Sequence, residues 1–278
     1  MSYKIRSKEE YVKSYRNSVE KNTEFWEEIA QEFTWFKPWS TVMDCDMKEA
    51  RFTWFEGAKT NIAFNSIDRH LKSKPDQTAI IFEPNMPNEQ ATHISYNALH
   101  KKVCKMANLL SEMGISKGDR VAIYLPMIPE LAVSVLACAR IGAVHSVIFA
   151  GFSSGALAAR VNDSSCKMVI TADGSFRGNK TIDLKGIVDE ALIQCPCVEK
   201  VLVAERTLTQ IKMKKNRDHF LKPLLEKASE KHEAVHMDAE DPLFILYTSG
   251  STGKPKGMVH TTGGYMVYTA YTFNNVFA

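Results

Sequence analysis

A glycine-rich stretch near the end of the chain has the residue types of a phosphate-binding loop. Residues 247–257 read YTSGSTGKPKG. Glycines leave backbone N–H groups open to an oxyanion, hydroxyl groups add donors, and lysine ammonium groups neutralise the charge of the anion. The alternative is an ordinary surface loop that binds nothing. The candidate phosphate-binding residues are Thr248, Ser249, Gly250, Ser251, Thr252, Gly253, Lys254 and Lys256.

Two common nucleotide-binding patterns do not fit this loop. A Walker A loop needs a hydroxyl residue directly after its lysine to reach magnesium, but Pro255 follows Lys254. A dinucleotide-binding Rossmann fold needs the pattern GxGxxG, which the sequence lacks. A P-loop NTPase is therefore disfavoured, although a generic phosphate-binding NTPase that pairs the loop with an acidic magnesium ligand stays open as an alternative.

The composition is that of an ordinary globular protein. The 278 residues are 45% hydrophobic and 24% charged, and 35 Lys and Arg against 32 Asp and Glu leave a formal net charge of +3. So small an excess of positive charge predicts no nucleic-acid partner. No apolar run reaches the ~18 residues of a membrane span, and the six scattered cysteines lack zinc or redox spacing. We expect free thiols and a cytoplasmic protein that does not associate with membranes.

The chain that must position the loop divides into two regions with different sequence patterns. Residues 1–75 are rich in aromatic side chains and poor in strand-like runs, which predicts a helical and irregular N-terminal segment with one or two amphipathic helices between residues 9 and 33. Residues 76–278 alternate short apolar runs with amphipathic stretches. This alternation predicts an α/β fold, with a mainly parallel sheet covered by helices on both faces.

The predicted elements place the loop at the carboxyl end of a strand. We expect an antiparallel pair at residues 78–83 and 92–96, and a helix that Ser95 caps and Gly114 ends. The phosphate loop follows the last strand and precedes a helix, which is where α/β sheets bind phosphates. The remaining strands are predicted at 120–125, 145–150, 168–172, 200–205 and 243–248, and the remaining helices at 129–142, after Ser153, and at 184–194, 217–231 and 263–277.

Residues 247–257 resemble the phosphate-loop signature of the adenylate-forming enzymes, the superfamily of acyl-CoA synthetases, peptide-synthetase adenylation domains and firefly-type luciferases. Residues 54–71, 118–163 and 169–180 are similar to the acetyl-CoA synthetase branch, with propionyl-CoA synthetase as the nearest competitor. The resemblance implies part of the large N-terminal domain of such an enzyme, divided here into residues 1–75 and an incomplete AMP-binding domain at 76–278. It also implies an AMP-forming acetate–CoA ligase that uses acetate, ATP with Mg²⁺, and coenzyme A.

The same resemblance implies a coenzyme A site. The stretch TADGSFRGNK, residues 171–180, is similar to a segment that supplies basic residues to the phosphates of coenzyme A, which assigns this role to Arg177, Gly178, Asn179 and Lys180. Gly151 would let the pantetheine arm pass close to the backbone. The family pattern has arginine where Lys180 stands, and lysine loses the bidentate geometry. The alternative is two solvated surface charges in a turn.

Several functional parts of the family are expected beyond Ala278. These are the acyl pocket, the adenine and ribose contacts and the adenylation lysine. No catalytic residue and no metal ligand is therefore assigned. We expect an N-terminal fragment that is inactive alone and leaves apolar faces uncovered. His260 is expected to take no direct part in chemistry, and the stretch 68–70 is expected on a helix surface. A non-catalytic nucleotide-binding or coenzyme A-binding protein is the alternative from another class.

Overall fold

A computed structural model describes residues 4–249 and 253–277. The helices are α1 (Lys8–Glu20), α2 (Asn22–Ala30), α3 (Arg69–Leu71), α4 (Tyr96–Glu112), α5 (Pro129–Ile141), α6 (Ser154–Asp163), α7 (Leu184–Ala191), α8 (Leu221–Lys227) and α9 (Thr262–Val276), with a π-helical turn at Phe64–Asp68 and a 3₁₀ turn at Leu192–Gln194. The strands are β1 (Thr41–Asp46), β2 (Arg51–Glu56), β3 (Lys59–Thr60), β4 (Thr78–Phe82), β5 (Thr92–Ser95), β6 (Arg120–Tyr124), β7 (Val144–Val147), β8 (Met168–Ala172), β9 (Ser175–Arg177), β10 (Lys180–Ile182), β11 (Lys200–Ala204), β12 (Asp218–Phe220), β13 (Met237–Asp238), β14 (Pro242–Thr248) and β15 (Lys256–Thr261).

A seven-stranded sheet forms the centre of the molecule. Its order is β12-β11-β8-β6-β7-β14-β15, and every neighbouring pair is parallel except β14 with β15. In the middle of the sheet, Val121 lies opposite both His145 and Met168. All five residues of β8 are buried, so both faces of the sheet are covered. The prediction of an α/β fold with a mainly parallel sheet is confirmed.

The local signals for helix ends agree with the structure. Ser95 has extended backbone angles, and its side chain accepts a hydrogen bond from the N–H of Ala98 at 3.2 Å, so α4 begins where predicted. Helix α5 ends at Gly142, whose φ of 75° lies in the left-handed region that glycine adopts without strain. The antiparallel pair β4–β5 also forms as predicted.

The N-terminal segment contains the two predicted helices and also strands that were not predicted. Strands β1 and β2 form an antiparallel hairpin, so the expectation of a helical and irregular segment was incomplete. Most of its buried apolar side chains form a cluster with α9 rather than with the centre of the sheet, whose core Ile67 joins. The cluster contains Ile29, Val42, Phe55, Met266 and Val267, with Trp26, Trp35, Trp39 and Trp54 packed against it.

Two predicted elements were wrong, because a tertiary contact or a proline overrides the local pattern. The helix predicted at 217–231 begins only at Leu221, since Pro223 fits only the first turn of a helix, and residues 218–220 pair with β11 instead. The loop after β14 does not lead directly into a helix. Residues 256–261 form strand β15, which pairs antiparallel with β14 before α9 begins.

Asp68 does not lie on an exposed helix surface. Its carboxylate forms a two-point ion pair with the guanidinium of Arg140, with distances of 2.8 and 2.9 Å, and Nε2 of His100 lies 3.3 Å from Oδ1. Arg140 also donates to the backbone oxygen of His232. The pair joins the N-terminal segment to α5.

The six cysteines carry free thiols, as predicted, and four of them are buried. Within the described residues, no helix is both long and apolar enough to cross a bilayer.

Candidate functional site

The candidate phosphate-binding and coenzyme A-binding segments follow strands that end at the same edge of the sheet. Strands β7, β8 and β14 run in the same direction, so their carboxyl ends lie together. Gly151 follows β7, the segment with Arg177 follows β8, and Thr248 ends β14. The carboxyl edge of a parallel sheet is the usual position for a phosphate-bearing ligand.

The phosphate loop lies at the tip of the β14–β15 hairpin. Thr248 pairs with Lys256, so the loop is the connection of a hairpin whose two ends are held by the sheet. Thr248, Ser249, Lys254 and Lys256 are exposed, and Gly253 has a φ of 79°, which favours glycine. The three remaining loop candidates, Gly250, Ser251 and Thr252, lie outside the described residues. Two exposed ammonium groups at one hairpin end suit an anion in solution.

The strand that leads into the loop is tied to α6 by a polar contact that the sequence did not predict. The hydroxyl of Tyr247 donates to Oδ2 of Asp163 at 2.6 Å. The guanidinium of Arg160 lies over the rings of Phe152, at 4.6 Å, and Tyr247, at 5.5 Å. Burial, together with the hydrogen bond to Asp163, raises the pKa of Tyr247 to about 12. The base of the loop is therefore fixed, and the tyrosine stays neutral at physiological pH.

The candidate coenzyme A segment is also a hairpin. Strands β9 and β10 pair antiparallel, and Arg177 lies opposite Lys180 in the pair next to the turn. Gly178 has a φ of 58°, as two-residue hairpin connections require. The two basic side chains are exposed at the tip, so this hairpin presents two positive charges side by side.

A cleft of about 710 Å³ runs along the carboxyl edge. Gly151 and Arg177 both line it, whereas Gly178, Asn179 and Lys180 do not. A Cβ atom at Gly151 would collide with the ring of Phe149, so the absence of a side chain lets that ring pack on the backbone. Arg206 also lines the cleft, and no sequence motif pointed to it. The cleft is large enough for part of an extended ligand, and the exposed guanidinium of Arg177 at its wall suits an anion.

His260 lies on β15 rather than in the cleft. Its ring stacks on Phe244 with ring centroids 4.4 Å apart and contacts Tyr265. A role in packing follows from these contacts, and the expectation that His260 takes no direct part in chemistry stays a prediction. Among residues 4–249 and 253–277, no group of three or more His, Cys, Asp or Glu could hold a metal ion.

Family models cover nearly the whole chain. Residues 67–278 match the model described as AMP-binding enzyme, and residues 11–66 match the model described as acetyl-coenzyme A synthetase N-terminus.

Curated relatives agree with these matches. The chain is 53% identical over 270 residues to acetyl-coenzyme A synthetase 2 of Pseudomonas aeruginosa and 48% identical over 268 residues to acetyl-coenzyme A synthetase of Bdellovibrio bacteriovorus. These alignments cover 97% and 96% of this chain but 42% of either relative. The chain therefore spans less than half of the length of these curated relatives.

The fold is similar to that of a solved acyl-CoA synthetase. The acetoacetyl-CoA synthetase from Streptomyces lividans superposes with a TM-score of 0.83 at 26% sequence identity. The match covers 91% of this chain and 38% of that one.

Proposed function

The chain belongs to the AMP-binding enzymes, and from that premise we propose that it is the N-terminal part of an AMP-forming acetate–CoA ligase. In the proposed reaction, an acetate oxygen attacks the α-phosphorus of ATP to give acetyl-adenylate and diphosphate, and the thiol of coenzyme A then displaces AMP. The observation that carries the proposal is that two cationic hairpins, β14–β15 and β9–β10, leave the same edge of the sheet. A propionyl-CoA synthetase is the alternative with the same chemistry.

We propose that the β14–β15 hairpin binds the triphosphate. The first step needs no strong nucleophile because acetate is already ionised, so catalysis depends on positioning and on neutralising charge along the phosphates. Lys254 and Lys256 would oppose the charge of the β and γ phosphates, and Thr248 and Ser249 would donate hydrogen bonds. The same role is proposed for Gly250, Ser251, Thr252 and Gly253. Mg²⁺ would enter bound to ATP.

We propose that the β9–β10 hairpin binds coenzyme A. Arg177 would make charge-assisted hydrogen bonds to a phosphate of coenzyme A, and Lys180 would add a second charge beside it. The cleft that joins Arg177 to Gly151 gives the pantetheine arm a path along the carboxyl edge. Gly178 and Asn179 would form the turn that brings the two basic residues together.

The proposed organisation follows from the same assignments. Residues 1–75 would form the N-terminal segment and residues 76–278 the first part of the AMP-binding domain. The free thiols support a cytoplasmic location. Acetate, ATP and coenzyme A would be the partners, with no nucleic acid and no membrane.

Exchange of labelled diphosphate into ATP tests the proposed function. In the complete gene product, we expect diphosphate exchange that depends on acetate and is weaker when propionate replaces acetate. A second measurement follows acetyl-CoA formation from supplied acetyl-adenylate. No exchange with either carboxylate would refute the ligase. ATP hydrolysis without any carboxylate would favour a generic NTPase, and coenzyme A binding without exchange would favour a non-catalytic binding protein.

A further inference from the structure

The β9–β10 hairpin is too short to hold its own orientation. Each of its strands has three residues, and the pair carrying Arg177 and Lys180 is the outermost of three. A two-stranded hairpin alone is marginally stable in water even when it is longer. Contacts from other elements must therefore set the direction in which Arg177 points.

The side chain of Arg206 makes such contacts. Its guanidinium carbon lies 5.1 Å from the ring centroid of Phe176, the central residue of β9, and 5.8 Å from that of Phe82 on β4. Both terminal nitrogens lie 3.3 Å from Oε2 of Glu89, in the connection between β4 and β5. One guanidinium thus joins the hairpin to two segments of the body, at distances where cation–π attraction acts.

The backbone of Arg206 is fixed by a buried carboxylate. Asp173 is 2% exposed and accepts hydrogen bonds from the N–H groups of Gly174 at 2.7 Å, Arg206 at 2.8 Å and Thr207 at 3.0 Å. Gly174 is the last residue before the hairpin, and a Cβ atom there would lie 2.9 Å from the backbone oxygen of Ile182. The base of the hairpin and Arg206 therefore share one anchor.

We propose that Arg206 is a positioning residue for coenzyme A binding, held by Asp173 and acting on Arg177 through the ring of Phe176. The inference rests on the proposed role of the β9–β10 hairpin. The guanidinium of Arg206 is already occupied by two rings and a carboxylate, so it orients the hairpin while Arg177 binds the phosphate. The guanidinium of Arg206 contacts two rings and, through both terminal nitrogens, Glu89 at the same time, which a single ammonium group does not reproduce.

A double-mutant cycle in the complete gene product tests this division of roles. Arg177→Ala should raise the KM for coenzyme A roughly ten- to a hundredfold, and Arg206→Leu should raise it roughly five- to tenfold, with kcat and the KM for ATP and acetate unchanged. The double variant should lose much less than the sum of the two single losses, because Arg206 acts through the hairpin whose main phosphate contact, Arg177, is already gone. Additive losses would mean that Arg206 binds the ligand itself and would overturn the proposal.

Two further variants separate positioning from a folding defect. Phe176→Leu removes the ring that the guanidinium contacts, and Arg206→Lys keeps the charge but not the two-nitrogen contact with Glu89, so both should reproduce the higher KM for coenzyme A. Arg51→Leu is the matched control, since it removes an arginine whose side chain is 57% exposed in the β1–β2 hairpin. Far-UV circular dichroism checks that each variant is folded. Folded Phe176→Leu and Arg206→Lys proteins with unchanged KM for coenzyme A would overturn the proposal.

Limited trypsin digestion gives a reading that is independent of coenzyme A. Loss of the Arg206 contacts should let the hairpin open locally, and cleavage after Arg177 and Lys180 should become severalfold faster in Arg206→Leu than in Arg51→Leu. Unchanged cleavage would count against positioning. If Arg206→Leu is cleaved faster but the wild-type protein does not bind coenzyme A, the proposed ligand of the hairpin is refuted and the role of Arg206 in holding the hairpin stays.

Discussion

Replacing Asp68 by Asn should be among the most destabilising single changes in the N-terminal segment. The side chains of Arg140 and Asp68 are 3% and 14% exposed, so the ion pair between them is almost fully removed from water. Burial alone would raise the pKa of Asp68, but the hydrogen bonds from His100 and Arg140 outweigh it and hold this pKa below its ordinary value. Asparagine would leave the buried charge of Arg140 without a counter-charge.

The expected loss of unfolding free energy is about 3 kcal/mol. Removing one partner of a buried pair costs about 3–5 kcal/mol, and the amide oxygen of asparagine can still accept one of the two hydrogen bonds, which favours the lower end. Asp44→Asn is the matched control. It breaks an ion pair with Arg51 in which the side chains are 44% and 57% exposed, and such pairs are worth about 1 kcal/mol or less.

Urea titrations monitored by circular dichroism measure the free energy of unfolding of both variants. A loss below about 1 kcal/mol for Asp68→Asn, equal to that of the control, would refute the reasoning that burial makes this pair strong.

The pH dependence of stability gives a second check. A hydrogen bond to Asp68, followed by one to Cys104, raises the pKa of His100 from 6.5 to about 9. The stability from the charged imidazole is complete below pH 6.5 and is lost as the pH rises through about 9, so the wild type should lose stability over this range and Asp68→Asn should lose less.

Two further predictions concern the loop and the backbone. Lys254→Ala and Lys256→Ala in the complete gene product should each slow diphosphate exchange at least tenfold. Both variants should still form the thioester from supplied acetyl-adenylate at the wild-type rate. Equal losses in both half-reactions would argue against a triphosphate role. Gly142→Ala should cost more than ~1 kcal/mol, because the residue has a φ of 75° and a Cβ atom would lie 2.5 Å from Sδ of Met237. Its control, Gly155→Ala in α6, has no atom within 4 Å of the new Cβ and should stabilise by ~0.4–1 kcal/mol, as thermal unfolding of both variants would reveal.

Much of the fold could be predicted because its signals are local. The cap at Ser95, the end of α5 at Gly142 and the apolar runs of the parallel strands each depend on residues a few positions apart. The prediction failed where pairing between distant segments decides the structure. Residues 256–261 form a strand because β14 offers an open edge, and nothing in their own pattern distinguishes a strand from the continuation of a loop.

The sequence pointed to exposed candidate residues of the site and not to the contacts that support them. Glycines, hydroxyl residues and lysines close together in the sequence leave a recognisable pattern, as at residues 247–257. The supports are joined across long stretches of chain: Tyr247 donates to Asp163 84 residues away, and Arg206 receives its anchor from Asp173 33 residues away. Such contacts exist only once the sheet has brought its carboxyl ends together, so no spacing rule could have found them.

The exposed basic residues of the two hairpins and the buried residue that supports them should respond differently to mutation. Lys254, Lys256, Arg177 and Lys180 are exposed, so truncating them removes no packing and should change unfolding free energy by less than about 0.5 kcal/mol. Asp173 is 2% exposed and satisfies three backbone donors, so Asp173→Ala leaves those N–H groups unpaired and should destabilise the fold as well as weaken ligand binding. The exposed residues can therefore be judged by ligand constants alone, whereas the buried supporting residues need both measurements. A variant of an exposed residue that is destabilised as much as Asp173→Ala would refute this separation.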